Sequence, residues 1–161
     1  GPLILCSRKH YGFVRRLFET EIPELVDGTI ELYAVVREAG IRSKVAVYSN
    51  DDRVDPVGAC IGEHGSRIAN ILKELNGEKV DIVRYSENTE EFIASALSPA
   101  KNVTVNIIDP VKKEALAIVT DDNLSLAIGK KGTNIKLASR LTKYKIEVTT
   151  LSKINEQGNK D

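Results

Sequence analysis

Apolar residues recur at two different periods along this chain, and the changes of period mark out its elements. Ile68, Ile71, Leu72 and Leu75 follow an i, i+3, i+4, i+7 pattern, the stripe of an amphipathic helix. Upstream, residues 10–21 predict a helix with Phe13, Leu17 and Phe18 on its apolar face and Arg15, Arg16 and Glu19 on the other. Pro23 and Asp27-Gly28 predict a break after it. Residues 29–37 alternate, with Ile30, Leu32, Ala34 and Val36 on one side, as expected of a half-buried strand. Ala39-Gly40 turns the chain into a second strand over 44–49, forming a hairpin. Asp55-Pro56 pairs an N-cap residue with proline at a first helical position, opening a short helix that ends into Gly62. Asn76-Gly77 stops the helix carrying Leu75, and 79–84 reads as a strand. The predicted order is α-β-β-α-α-β.

The same order returns downstream. A helix is expected over 89–97 with Phe92, Ile93 and Ala96 inward, then strands over 102–108 and 114–120 about a turn at Asp109-Pro110. Asp122 or Asn123 is positioned to cap a short helix running to Ile128; 133–142 predicts another helix and 144–149 a last strand. The expected domains are 1–86, including the apolar Leu3–Cys6 start, and 87–151, followed by a polar, frayed tail over 152–161. The fold class is therefore α+β, two units with helices on one face of a three-stranded sheet.

At the same place in each repeat stands the same short frame. Ile61-Gly62-Glu63-His64-Gly65-Ser66-Arg67-Ile68 is matched by Ile128-Gly129-Lys130-Lys131-Gly132-Thr133-Asn134-Ile135. Glycines permit backbone dihedrals and approaches that a Cβ forbids. A Gly-x-x-Gly loop at a helix start presents N–H groups and the positive end of the helix dipole, which suits a phosphate. The second loop adds Lys130 and Lys131, and Lys136, Arg140 and Lys143 continue a basic stripe along the next helix. Bases would be read beside the loop, near Ile128 and Ile135. In the first loop Glu63 places a carboxylate where phosphate would lie, with His64 and Arg67 as partial compensation. Three readings stay open there: weak binding, binding through amides alone, or a purely structural loop.

Charge and composition narrow the choice. The chain holds 23 Lys and Arg against 23 Asp and Glu, so global charge points to no partner. The local balance does: from Asn123 to Ile146 there are basic residues and no acidic one. Cys6 and Cys60 lack paired spacing, which supports neither a disulfide framework nor a zinc site. The spacing of Gly58, Gly62 and Gly65 is not a dinucleotide fingerprint, and Gly129–Gly132 is not a P-loop. No nucleophile elbow or acid–base pair appears, so no catalytic residue, cofactor or metal is expected, and the chain reads as a non-enzyme. Leu3–Cys6 is too short for a signal peptide or membrane span, giving an expectation of a soluble cytoplasmic protein. The absence of methionine suggests a fragment.

The two Gly-x-x-Gly units resemble tandem KH domains of the prokaryotic type II form. Ser7-Arg8, Arg16-Leu17-Phe18, Asp27-Gly28, Arg37-Glu38-Ala39-Gly40, Asp55-Pro56-Val57-Gly58-Ala59-Cys60, Leu124-Ser125-Leu126-Ala127 and Asn134-Ile135-Lys136-Leu137-Ala138 are similar to the NusA family of bacterial transcription elongation, termination and antitermination factors. The resemblance implies binding of single-stranded RNA, a nascent transcript. It also implies RNA polymerase and other elongation factors as partners of a longer protein, with this chain a monomeric fragment lacking the polymerase-binding N-terminal and S1 domains. RNA contacts would fall on Ile61 to Arg67, on Ile128 to Asn134, and on Lys136 and Arg140. A protein-interaction scaffold with incidental RNA affinity is the alternative.

Overall fold

The computed structural model describes residues 11–154; the expectations for Leu3–Cys6, Ser7-Arg8, His10 and the end of the tail lie outside them. The chain divides between Tyr85 and Ser86 into two compact units.

In the first unit, α1 (Tyr11–Glu21) buries Val14 and Phe18 completely, with Phe13 and Leu17 only flanking them. The inward stripe therefore runs Val14, Phe18, Ile22, one step round from the expected Phe13 and Leu17. The expected break falls at Ile22, and Pro23 then starts a second helix, α2 (Pro23–Asp27), which ends at left-handed Gly28. Proline lacks only an N–H that a first helical position does not need, so here it begins a helix.

Strand β1 (Ile30–Glu38) pairs antiparallel with β2 (Arg42–Ser49), but the register slips between Leu32 and Ala34. A bulge at Tyr33 inverts the facing of everything after it. Ile30 and Leu32 face the core as expected; beyond the bulge Val35 takes that side in place of Ala34 and Val36. Strand β3 (Lys79–Arg84) joins β2 in parallel, giving the order β1-β2-β3. A parallel neighbour requires a crossover, supplied by α3 (Pro56–Ile61) and α4 (Ser66–Leu75) with a 3₁₀ turn between them. Asp55 caps α3 by accepting from the Val57 amide at 3.1 Å. Ile71 and Leu75 of α4, Cys60 of α3 and the α1 residues close over Ile30, Val45 and Val47.

Two carboxylates tie the hairpin to β3. Glu78, 2% exposed, accepts from Arg37 Nε and Nη2 at 3.0 Å each, from the Gly40 amide at 2.9 Å and from Ser43 Oγ at 2.7 Å. Asp81 Oδ2 accepts from Arg42 Nη1 at 2.6 Å and from the fully buried Lys44 Nζ at 2.8 Å. Burial pulls the Lys44 pKa down despite its ion pair with Asp81.

The second unit repeats the plan without a counterpart of α2. Asn88 caps α5 (Thr89–Ala96), whose Phe92, Ile93 and Ala96 are buried as expected. Strands β4 (Thr104–Asp109) and β5 (Glu114–Val119) form the hairpin, and Asp109 Oδ1 accepts from the Val111 and Lys112 amides in its turn. Next come α6 (Leu124–Ile128), α7 (Thr133–Thr142) and β6 (Lys145–Thr150), the last parallel to β5. Neither expected side-chain cap of α6 forms. A 3₁₀ turn over Asp121–Asn123 leads into it, and Asn123 instead accepts from the Lys101 amide and donates to Thr120 Oγ1. The tail begins in helix over 151–154 rather than frayed.

Glu78 gives this unit a pH-dependent support. Burial by itself would raise its pKa, but the bonds from Arg37, Ser43 and Gly40 outweigh that and hold it below the ordinary value. Its stabilisation is therefore complete above the unfolded pKa of about 4.3 and is lost as pH falls through the lower folded value. Replacing Glu78 with alanine leaves Arg37 buried without its carboxylate and is expected to cost about 3 kcal/mol of stability at neutral pH. Urea unfolding at pH 7 and pH 3.5 checks it: the gap between wild type and Glu78→Ala narrows at the lower pH.

Candidate nucleic-acid interface

The two Gly-x-x-Gly loops have the same backbone to within a few degrees. Gly62 and Gly129 lie at φ 80, ψ 170 and φ 78, ψ 168. His64 and Lys131 follow in the left-handed region, at φ 54 and φ 58, and Gly65 and Gly132 at φ 73 and φ 75. Left-handed histidine and lysine cost energy that glycine would not, and such strain persists only where the surroundings impose it.

The surroundings are the start of the next helix. A Cβ on Gly129 would stand 2.6 Å from Asn134 Cβ and 2.7 Å from its amide nitrogen; one on Gly62 would stand 2.7 Å from Arg67 Cγ and 2.9 Å from its nitrogen. A Cβ on Gly65 or Gly132 would meet only an isoleucine methyl at ordinary contact distance, Ile68 Cγ2 at 3.9 Å or Ile135 Cγ2 at 4.0 Å, so only their dihedral calls for glycine.

The loop amides divide by role. Those of the glycines are bonded internally, Gly62 to Gly58 O and Gly65 to Gly62 O, Gly129 to Ser125 O and Gly132 to Gly129 O. Among the described residues no backbone bond ties down the amides of Glu63 and His64 or of Lys130 and Lys131. The donors a ligand would meet are thus the middle amides, not those of the glycines.

Side chains named from the sequence separate into two groups. Lys130, Lys131, Lys136 and Arg140 are exposed, and among the described residues none of them has an acidic partner. Lys143 ends α7 as its left-handed cap, so it does not extend the helical stripe. Glu63 and His64 stand in solvent, 90% and 92% exposed, with 4.0 Å between them. Ile61 and Ile128 are each partly exposed beside their loops, while Ile68 and Ile135 are half-buried. Ser66 is exposed, and Thr133 donates its hydroxyl to Lys130 O at 2.9 Å.

Asn134 and Arg67 face the other way, contrary to their expected contact with RNA. Asn134 is 1% exposed, and its Nδ2 donates to Leu97 O, Leu126 O and Ala127 O at 3.1, 3.1 and 2.9 Å. Three carbonyls around one amide fix which end of the side chain is nitrogen. Arg67 Nη1 donates to Ala59 O at 2.8 Å and to Glu24 Oε2 at 2.5 Å. Sequence reasoning missed Leu126, 47% exposed beside Ile128, and Glu24. Apolar exposure on a short helix has no periodic signal, and Glu24 is 43 residues from its partner.

Burial pushes the Cys60 thiol up to about 12, and among the described residues no group of three or more His, Cys, Asp or Glu could hold a metal. Among the described residues no helix is long and apolar enough to cross a membrane.

Comparison with known proteins adds to this geometry. Residues 8–85 match the family model of the NusA-like first KH domain, and residues 89–156 that of the NusA-like second KH domain. The chain belongs to the NusA-like KH family. It is 52% identical over 158 residues to the transcription termination/antitermination protein NusA of Halalkalibacterium halodurans, covering 98% of this chain and 41% of the relative. The NusA proteins of Bacillus subtilis, 50% identical, and Thermus thermophilus, 47% identical, cover 98% and 97% of it. The chain thus spans about two fifths of the length of these NusA relatives, 41% to 42%. The crystal structure of APE1850, 24% identical, has the same fold with a TM-score of 0.57 over 84% of this chain and 96% of that one.

The close approach at the first glycine and the absence of any collision at the second predict unequal costs within one NusA-like KH loop. Gly129→Ala is expected to lower stability by about 3 kcal/mol, through both φ and collision. Gly132→Ala is expected to cost roughly 1 kcal/mol, through φ alone. Thermal unfolding of the two variants side by side measures the difference.

Proposed function

We infer that the chain binds single-stranded RNA along its two Gly-x-x-Gly loops, without catalysis, as part of a transcription termination and antitermination factor. The observation that carries this reading is the second loop, where two backbone amides and two exposed lysines, without partners among the described residues, lie together at the start of α7. All of these groups are donors or cations, and a phosphodiester backbone is the polymer that satisfies them in series. Lys136 and Arg140, both exposed on α7, extend the track past the loop. Leu126 and Ile128 supply apolar surface against which an unstacked base can lie.

The first loop has the same backbone but exposes Glu63 beside His64. Phosphate there meets two free amides and one carboxylate, so binding is weaker than at the second loop and rests on the main chain. The proposed partners are a nascent transcript and, through the longer protein, RNA polymerase and elongation factors; the proposed location is the bacterial cytoplasm. The NusA names of the relatives support the transcriptional role.

Fluorescence anisotropy with a randomised single-stranded RNA pool at two salt concentrations tests the reading. Lys130→Asp/Lys131→Asp is expected to abolish most salt-sensitive binding and to lower the salt slope by about 2. His64→Asp is expected to weaken binding less. Wild-type protein with no affinity at low salt would overturn the proposal and direct attention to a protein partner.

A further inference from the structure

Arg67 and Asn134 hold the same place in the two repeats, second in the helix after the loop, and both donate to corresponding carbonyls of the preceding helix, Ala59 O and Leu126 O. The anchors differ. Asn134 is neutral, buried and surrounded by main-chain carbonyls. Arg67 is about a third exposed, and its guanidinium is held from outside the crossover by Glu24 on α2, with Nη1 at 2.5 Å and Nη2 at 3.3 Å from the two carboxylate oxygens. Its aliphatic stem is the surface against which Gly62 lies, since a Cβ there would meet Arg67 Cγ at 2.7 Å. A part-exposed arginine that loses its carboxylate regains rotamers, and the wall behind the first glycine then moves with them.

We propose that Glu24 is a positioning residue for the first Gly-x-x-Gly loop, acting through Arg67 on Gly62. The second loop has no such dependence, because Asn134 needs no charged partner. The consequence for RNA rests on the RNA-binding reading above, and it has an unusual sign. Glu24 is a carboxylate, and simple electrostatics says that removing it strengthens binding to a polyanion. Positioning says the reverse, because the loop amides lose their alignment.

The test uses the full chain and compares Glu24→Lys with Glu19→Lys, an identical change of charge at an exposed site whose ion pair is to Arg15 at 3.8 Å. Amide resonances of residues 62–65 are followed by ¹⁵N NMR, and affinity for the labelled RNA pool by anisotropy. Glu24→Lys is expected to shift the loop resonances and weaken RNA binding roughly fivefold, the loss of a partly exposed charged hydrogen bond. Glu19→Lys is expected to leave the resonances in place and to bind RNA as well as wild type or better. Glu24→Gln, which keeps a hydrogen-bonding shape should Glu24→Lys not fold, is expected to shift the same resonances and bind less tightly despite its lost negative charge. Unmoved loop resonances, or tighter RNA binding by both Glu24 variants, would overturn the proposal. The Lys130→Asp/Lys131→Asp protein separates the two ideas: if it binds RNA like wild type, the RNA reading fails, while the resonance shifts still decide the role of Glu24.

Discussion

At each loop the first glycine lies against the second residue of the following helix, at a separation that leaves no room for a Cβ. That contact orders the rest of the site. It brings the end of one short helix within reach of a side chain on the next, and Arg67 and Asn134 then bond the carbonyls that α3 and α6 leave open at their ends. With both ends held, the two residues between the glycines are forced outward, one of them into a left-handed conformation. Among the described residues their amides find no backbone partner. A surface that offers donors without acceptors follows from packing at the loop's base.

The two units reach the same backbone with different interiors. In the first, Arg42 and Lys44 of β2 meet Asp81 of β3, and Glu78 gathers Arg37, Gly40 and Ser43. Strand register places Glu114 and Leu116 of β5 opposite Lys145 and Glu147 of β6, where the first unit has Arg42 and Lys44 opposite Lys79 and Asp81. An apolar side chain thus stands at the position of the buried lysine, and Tyr144 precedes β6 where Glu78 precedes β3. Buried ion pairs are weak contributors to net stability but strict about geometry. In the first unit they fix how the hairpin meets the parallel strand. Among the described residues the second unit has no such ion pair.

Much of the architecture was legible because it rests on local rules. The strict repeat at Ile68, Ile71, Leu72 and Leu75 and the cap at Asp55 each correspond to an element whose ends the sequence placed closely. Errors fell where one residue alters a phase. The Tyr33 bulge passed Val35 inward in place of Ala34 and Val36, and alternation read by eye has no term for an extra residue. The first helix stops at Glu21, ahead of Pro23, as the sequence indicates. The helix that Pro23 then starts has no comparable signal, because proline ends helices far more visibly than it starts them.

The site divides along the same line. Sequence alone determined the repeat, the paired loops, the basic character of the second and the family to which both units belong, since these depend on residue type and spacing. Tertiary structure decided which of the named residues face outward. Lys130, Lys131, Lys136 and Arg140 stand in solvent, whereas Asn134 and Arg67, just as polar on paper, turn back to bond carbonyls. It also brought Glu24 to the first loop across 43 residues of chain. The physical reason is that a buried donor goes where acceptors are, as Asn134 Nδ2 does among three carbonyls even though its Oδ1 is left without a partner among the described residues. Its own neighbours in sequence do not say where that is.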